Sequence, residues 1–321
     1  MQESDFIKTP EYWSKLENQV RNDAAEREIE LKRAFGIPDD REFLSIWIST
    51  DSSKIFPSVE VLSSGNIRIY FPTAYFLHMD EAAKWMNLCA PYRQAIALSA
   101  TFPEDDLSTF FHFIWSRWIF LHEVGHVICG HLGFTPASEF IEFPVLEVAQ
   151  KTASGIPLPL RKAMEVDADV WAAHAMFQSF GSMTLKKYWD DLYHREDSIS
   201  YAMQDLALIF WPLFLELDHA SPDVPTTHPT ALERIGLLQA RGFGAYIQRV
   251  GADGKQRMSS FLAGQQKAIE LTAHMKESLF YKKSPQIDFM SYRNELMTAG
   301  VQHRRRYPLQ DDWLHKTLDA S

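Results

Sequence analysis

The chain has 321 residues, 46% of them apolar, a formal net charge of −10 and two cysteines, Cys89 and Cys129. That is enough apolar material to build a core without disulfides, and two cysteines exclude a disulfide framework and fit a reducing compartment. The acidic balance argues against nucleic acid as a partner, because phosphate binding needs concentrated Lys and Arg.

The opening Met1-Gln2-Glu3-Ser4-Asp5 is acidic and leads into no apolar stretch, so it does not read as a secretory signal. Thr9-Pro10 pairs an N-cap with a proline at the first helical position. The helix it predicts carries Trp13, Leu16, Val20 and Ala24 on one stripe and ends near Gly36-Ile37-Pro38. Strand-like runs follow at Phe43–Ser49, Val59–Leu62 and Ile67–Phe71, the last two joined by Ser63-Ser64-Gly65-Asn66 as in a hairpin. From Thr73 onward the pattern is helical, broken at Pro91, Pro103, Pro136, Pro157 to Pro159, and Ser221 to Pro229.

The expected fold is α+β: a mainly helical body with a small N-terminal antiparallel sheet. No composition shift cuts the chain in two. We expect one domain over 1–321, with a helix and sheet in 1–72, a helical core in 73–240 and a helical extension in 241–321. The densest apolar runs, Phe110–Leu121 and Leu206–Leu217, fall short of the roughly 20 residues a membrane span needs. They read as buried core helices of a cytoplasmic protein with no membrane span. The basic run His303-Arg304-Arg305-Arg306 reads as a solvated helix end.

The chemistry concentrates at His122-Glu123-Val124-Gly125-His126. On a helix, His122 and His126 are four apart and share a face, so both imidazoles can reach one tetrahedral Zn²⁺. Glu123 stands beside the first ligand, placed to act on water as a general base without binding the metal. A carboxylate between Leu121 and Val124 is costly to bury unless it has such a task. His131 does not extend the motif to a third histidine ligand: the metzincin spacing would put that residue at Leu132, and on a continuing helix His131 lies off the ligand face. We expect it to support or cap rather than ligate.

The third ligand is expected from Glu165-Val166-Asp167-Ala168-Asp169. Glu165 and Asp169 are four apart, so one can bind the metal while the other accepts the free ring N–H of a ligand histidine. A surface acidic patch including Asp167 is the plain alternative.

HExxH followed by E-x-x-[AD]-D resembles the gluzincin pattern, in the form used by the HtpX and CAAX-prenyl-protease type. Thr227-His228-Pro229-Thr230-Ala231-Leu232-Glu233-Arg234-Ile235 is similar to that group's T-H-P-x-x-x-x-R-I segment. The Lit-type phage-exclusion peptidases are another HExxH lineage, and the motifs do not separate the two. The resemblance covers about a third of the chain, and the HtpX type is membrane-embedded where this chain is not expected to be.

It implies a zinc-dependent endopeptidase acting on a protein or peptide. His122, His126 and Glu165 would be the ligands, Glu123 the catalytic base, Asp169 the support of a ligand histidine and His228 a contact to substrate or oxyanion. His228 could equally be a neighbour of the cap on the helix that Pro229 starts, with Arg234 paired to Asp167 or Asp169; Tyr193 or Tyr201 could then donate to the oxyanion instead. The competing reading is a metal-binding regulator without catalysis. A closed structural zinc site using Cys129 is a further alternative.

Overall fold

The computed structural model describes residues 38–49, 57–62, 66–97, 104–129, 131, 158–181, 198–219, 229–237 and 252–275, together with scattered helical positions within 11–32. After those helical positions come three strands: β1 (Leu44–Ser49), β2 (Ser58–Val61) and β3 (Ile67–Pro72). Each alternates apolar and polar residues, so one face of the sheet is apolar. Leu44, Ile46 and Ile48 of β1 stand opposite Ile67, Ile69 and Phe71 of β3, and Val59 and Val61 of β2 stand opposite Ile69 and Ile67. On the other face the Arg68 guanidinium lies 4.9 Å from the centre of the Trp47 ring.

The hairpin expected between the second and third strands is present, closed by the Leu62 N–H donating to the Asn66 carbonyl. The sheet as a whole is not antiparallel, however. Its order is β1-β3-β2, and β1 runs parallel to β3, so the sheet is mixed. Strand alternation dictates which side chains share a face but not strand direction, and direction depends on the connection between β1 and β2. The arrangement remains α+β, mostly helical with this one small sheet.

Seven helices follow among the described residues: α1 (Thr73–Leu88), α2 (Ala90–Ala95), α3 (Glu104–Ile128), α4 (Leu158–Gly181), α5 (Ser198–His219), α6 (Ala231–Leu237) and α7 (Ala252–Met275). The axis of the body is α3, which is apolar around most of its circumference; Leu107, Phe111, Ile114, Trp115, Trp118, Phe120 and Leu121 are all buried. A helix apolar on all sides must be enclosed. Around it, α1 packs along one side, α4 along another, and α5 crosses near its middle. There Trp118 meets Phe210 and Phe214 edge-on at 5.0 and 5.4 Å between ring centres.

Helix α5 contains Pro212 in its interior. Proline has no N–H for the carbonyl four residues back and crowds the turn before it, so the carbonyls of Leu208 and Ile209 lose helical partners or geometry. Both are taken from outside: the Tyr92 hydroxyl donates to the Leu208 carbonyl, and the Trp115 indole donates to the Ile209 carbonyl at 2.8 Å. The core thus satisfies the polar groups that the proline releases.

Expectation had limited this apolar run to Leu206–Leu217, but it belongs to a 22-residue helix. By length and composition its stretch Ser198–Leu215 could cross a membrane, and 72% of that stretch is buried inside the fold. The helix C-terminal to the site, α7, packs along α5, where Gly264 touches the backbone of Gln204. The run at 303–306 lies outside the described residues, as do Thr9-Pro10 and Gly36-Ile37.

Candidate metal centre

The C-terminal half of α3 and the first half of α4 face each other and carry the chemistry. They lie unusually close because Gly125 has no side chain. A Cβ built on it would fall 2.9 Å from both the Cα and the carbonyl oxygen of Ala168. The helices touch backbone to backbone one residue before His126 and one before Asp169, so short side chains bridge from one helix to the other.

His122, His126 and Glu165 converge there, each at most 2% exposed, with one potential ligand atom apiece inside a 4.8 Å group. His122 Nε2 lies 3.1 Å from His126 Nε2 and 3.2 Å from Glu165 Oε2, and His126 Nε2 lies 3.6 Å from Glu165 Oε1. Ligands at about 2.0–2.1 Å in a tetrahedral shell stand about 3.3 Å apart, close to the separations of His122 Nε2 from His126 Nε2 and from Glu165 Oε2. Two imidazole nitrogens and a carboxylate oxygen turned toward one another repel unless a proton or a cation lies between them.

Both rings are held from behind. Asp169 Oδ1 lies 2.9 Å from His122 Nδ1 and accepts its N–H, so Nε2 is the ring nitrogen turned toward the ligand group. Asp169 in turn faces Arg234, whose Nε is 3.2 Å from Oδ2; the distance makes an ion pair although the angle falls short of a hydrogen bond. His126 Nδ1 lies 2.8 Å from the Nδ1 of His131, which is fully buried. Helix α3 ends at Ile128, and beyond it the chain brings His131 behind the second histidine.

Glu123 is fully buried, and among the described residues neither of its carboxylate oxygens has a hydrogen-bond partner. Burial pushes its pKa up; the neighbouring His122 opposes that and Glu165 adds to it, leaving the metal-free group at about 8. For His122, burial lowers the pKa, but the hydrogen bonds and charges of Asp169 and Glu165 outweigh it and raise the metal-free ring to about 10. In formal charge, Glu123, Glu165 and Asp169 contribute three negatives and Arg234 one positive, all buried, which leaves two to be neutralised by a dication or by protons.

Arg234 arrives on α6, a short helix fixed by a capping box. The Thr230 N–H donates to Glu233 Oε2 at 2.6 Å and the Glu233 N–H to Thr230 Oγ1 at 3.3 Å. Thr230 is therefore the cap and Pro229 precedes it, where expectation had Pro229 starting the helix. Of the two carboxylates considered for Arg234, Asp169 is the one it meets.

His228 and Tyr193 lie outside the described residues, and so does the Pro136 side of the connection between the two ligand helices. Tyr201 sits near the start of α5. Cys129 is not part of the converging group of His122, His126 and Glu165; its thiol lies 3.9 Å from the Asp167 carbonyl.

Two features were not anticipated from sequence, and a third was anticipated only in part. Gly125 as the contact between the helices had its signal in the motif itself, a glycine on a helix otherwise lined with large apolar residues. His131 was expected to support or cap, and its place behind His126 agrees with that; only the partner was not named, and Gly130, which marks a helix end just before it, was the signal. The capping box at Thr230 and Glu233 could be read directly from T-x-x-E. Comparison with protein-family models, with curated proteins and with solved structures yields no match to this chain.

Proposed function

We propose that this chain is a zinc-dependent endopeptidase of gluzincin type, acting on a protein or peptide, with His122, His126 and Glu165 as ligands and Glu123 as general base. The observation that carries this reading is Glu123: a fully buried carboxylate with no hydrogen-bonded partner among the described residues, beside three converging ligand atoms. Burying such a group unsatisfied costs stability, and a regulator that only binds metal gains nothing from it. Two imidazoles and one carboxylate make a donor set suited to zinc, and three protein ligands leave a position open, as catalytic sites do.

When bound, zinc supplies Lewis acidity, activating water and polarising the scissile carbonyl. Glu123 removes the proton from the attacking water, holds it, and returns it to the departing amine. A carboxylate that burial has already moved toward neutral pH can do both. Asp169 holds the His122 ring with Nε2 facing the metal position, and Arg234 holds Asp169 in place. The assignment of His228 to the oxyanion rests on the resemblance of Thr227-His228-Pro229 alone. The zincin-like fold and a cytoplasmic location belong to the same proposal, supported by the motif order and by the burial of most of Ser198–Leu215.

The test is elemental analysis of wild type, Glu165→Ala and Glu123→Gln, followed by N-terminal profiling of a proteome incubated with each. We expect about one zinc per chain in wild type and Glu123→Gln and little in Glu165→Ala. New peptide termini should form with wild type and fall by orders of magnitude with Glu123→Gln. A folded wild type that cannot take up added zinc sinks the reading.

A further inference from the structure

We propose that His131 is a positioning residue for the metal: its Nδ1 accepts the Nδ1–H of His126 and thereby fixes the tautomer in which His126 Nε2 can ligate. The inference rests on the metal-site reading above and adds a role for a residue outside the HExxH and ExxxD elements.

Three observations lead to it. The two Nδ1 atoms are 2.8 Å apart, a distance that requires a proton on one of them. The two rings meet at 63° with centres 5.0 Å apart, so they share an edge contact and are not stacked. His126 turns its other nitrogen, Nε2, toward His122 and Glu165. If Nε2 is to give its lone pair to a metal, the proton of the neutral ring must sit on Nδ1, and His131 Nδ1 must then be the acceptor. The opposite arrangement, with His131 donating, leaves the His126 proton on Nε2 and blocks that corner of the site.

The partner's chemistry also fits the charge of the site. Asp169 already supports His122, and with Glu123 and Glu165 the buried centre holds three carboxylates against one guanidinium. A fourth carboxylate behind His126 would leave a net negative charge that a dication does not cancel. A neutral imidazole supplies the acceptor without that charge. The two ligand histidines are therefore supported unequally, His122 by an anion and His126 by a neutral ring.

The experiment uses the full-length chain with zinc and cobalt as probes. Zinc dissociation constants are measured by competition with a chromophoric chelator for wild type, His131→Asn and His131→Leu, and visible spectra are recorded for the cobalt forms. Asparagine places an amide oxygen where Nδ1 stood and keeps the acceptor, while leucine removes it. We expect His131→Leu to bind zinc about 10- to 100-fold more weakly, with an altered cobalt spectrum, and His131→Asn to stay within a few-fold of wild type.

A long-range ¹H–¹⁵N correlation spectrum of the zinc-loaded wild type reads the tautomers without any substitution. His126 should carry its proton on Nδ1, and His131 should carry its own on Nε2. Equal zinc affinity in wild type and His131→Leu, equal losses in both variants, or a proton on His131 Nδ1 each overturn the role given to His131 while leaving the metal site standing. A wild type that binds neither metal overturns the site reading itself.

Discussion

Gly125 and Ala168 touch through their backbones: a Cβ on Gly125 would stand 2.9 Å from the Ala168 Cα, with no flexible side chain to yield. The contact sets the spacing of α3 and α4 at the level of the ligands. Gly125→Ala should therefore push the two helices apart, costing about 1–3 kcal/mol as overpacking does and weakening zinc binding along with it. Gly264 offers the control. It is pressed as tightly against the Gln204 backbone, 2.4 Å from the carbonyl oxygen, but between α7 and α5. Gly264→Ala should lower the melting temperature yet leave the zinc affinity of the folded protein near that of wild type. Equal zinc affinity in Gly125→Ala and wild type would show that this contact does not set the site.

The metal-free protein should lose stability steadily as pH rises. Glu123 is raised from its ordinary 4.5 to about 8 in the fold, so between those values the folded chain keeps a proton that the unfolded chain has released. His122 is raised from 6.5 to about 10, so the stability its protonation provides is full below 6.5 and disappears as pH climbs through 10. Both groups bind protons more tightly when folded, and both slopes have the same sign. Melting temperatures measured in chelator should fall from about pH 5 to pH 9. The fall should be shallower in Glu123→Gln, which lacks one of the two groups. Zinc should stabilise more at the upper end of that range, where it competes with fewer protons. A melting temperature that is flat or rising in chelator over this range would contradict the burial of these groups.

The parts of the site that were legible from sequence are those fixed by helical periodicity. His122 with His126, and Glu165 with Asp169, are each four residues apart, and that spacing alone puts each pair on one face. That the two faces meet depends on Gly125, whose role needs a second helix to be visible. Reading His131 on a continuing helix placed it off the ligand face; because α3 stops at Ile128, the chain instead returns it to His126. In the sheet, alternation and the turn residues pointed to the hairpin between the second and third strands, while its register and the parallel pairing of Ile69 with Ile46 depend on chain connection that no strand pattern encodes.

Pro212 and Tyr92 should show coupled effects. Tyr92→Phe removes the donor to the Leu208 carbonyl and leaves a buried acceptor without its partner, a loss of about 1–3 kcal/mol. In a Pro212→Ala background the helix regains an N–H four residues beyond Leu208, so the same substitution should cost less. Denaturant unfolding of the two single variants and the double variant gives the coupling. Strict additivity would mean that the proline does not release that carbonyl to Tyr92.

Arg234 and Asp169 form the outermost step of the chain of contacts that ends at His122, and Arg234 is only 2% exposed. Removing one member of a buried pair strands the other charge, which typically costs about 3–5 kcal/mol. Arg234→Met should therefore destabilise the metal-free protein strongly. Asp169→Asn added to it should recover part of that loss by removing the stranded carboxylate. Zinc affinity should respond differently: Arg234→Met leaves the acceptor behind His122 in place, whereas the double variant replaces a carboxylate with a weaker amide acceptor and should bind zinc less well than Arg234→Met alone. Chemical denaturation and chelator competition on wild type, Arg234→Met and the double variant separate the two quantities. If the double variant is no more stable than Arg234→Met, Arg234 is not what offsets the charge of Asp169. If its zinc affinity also matches that of Arg234→Met, Asp169 does not act through His122.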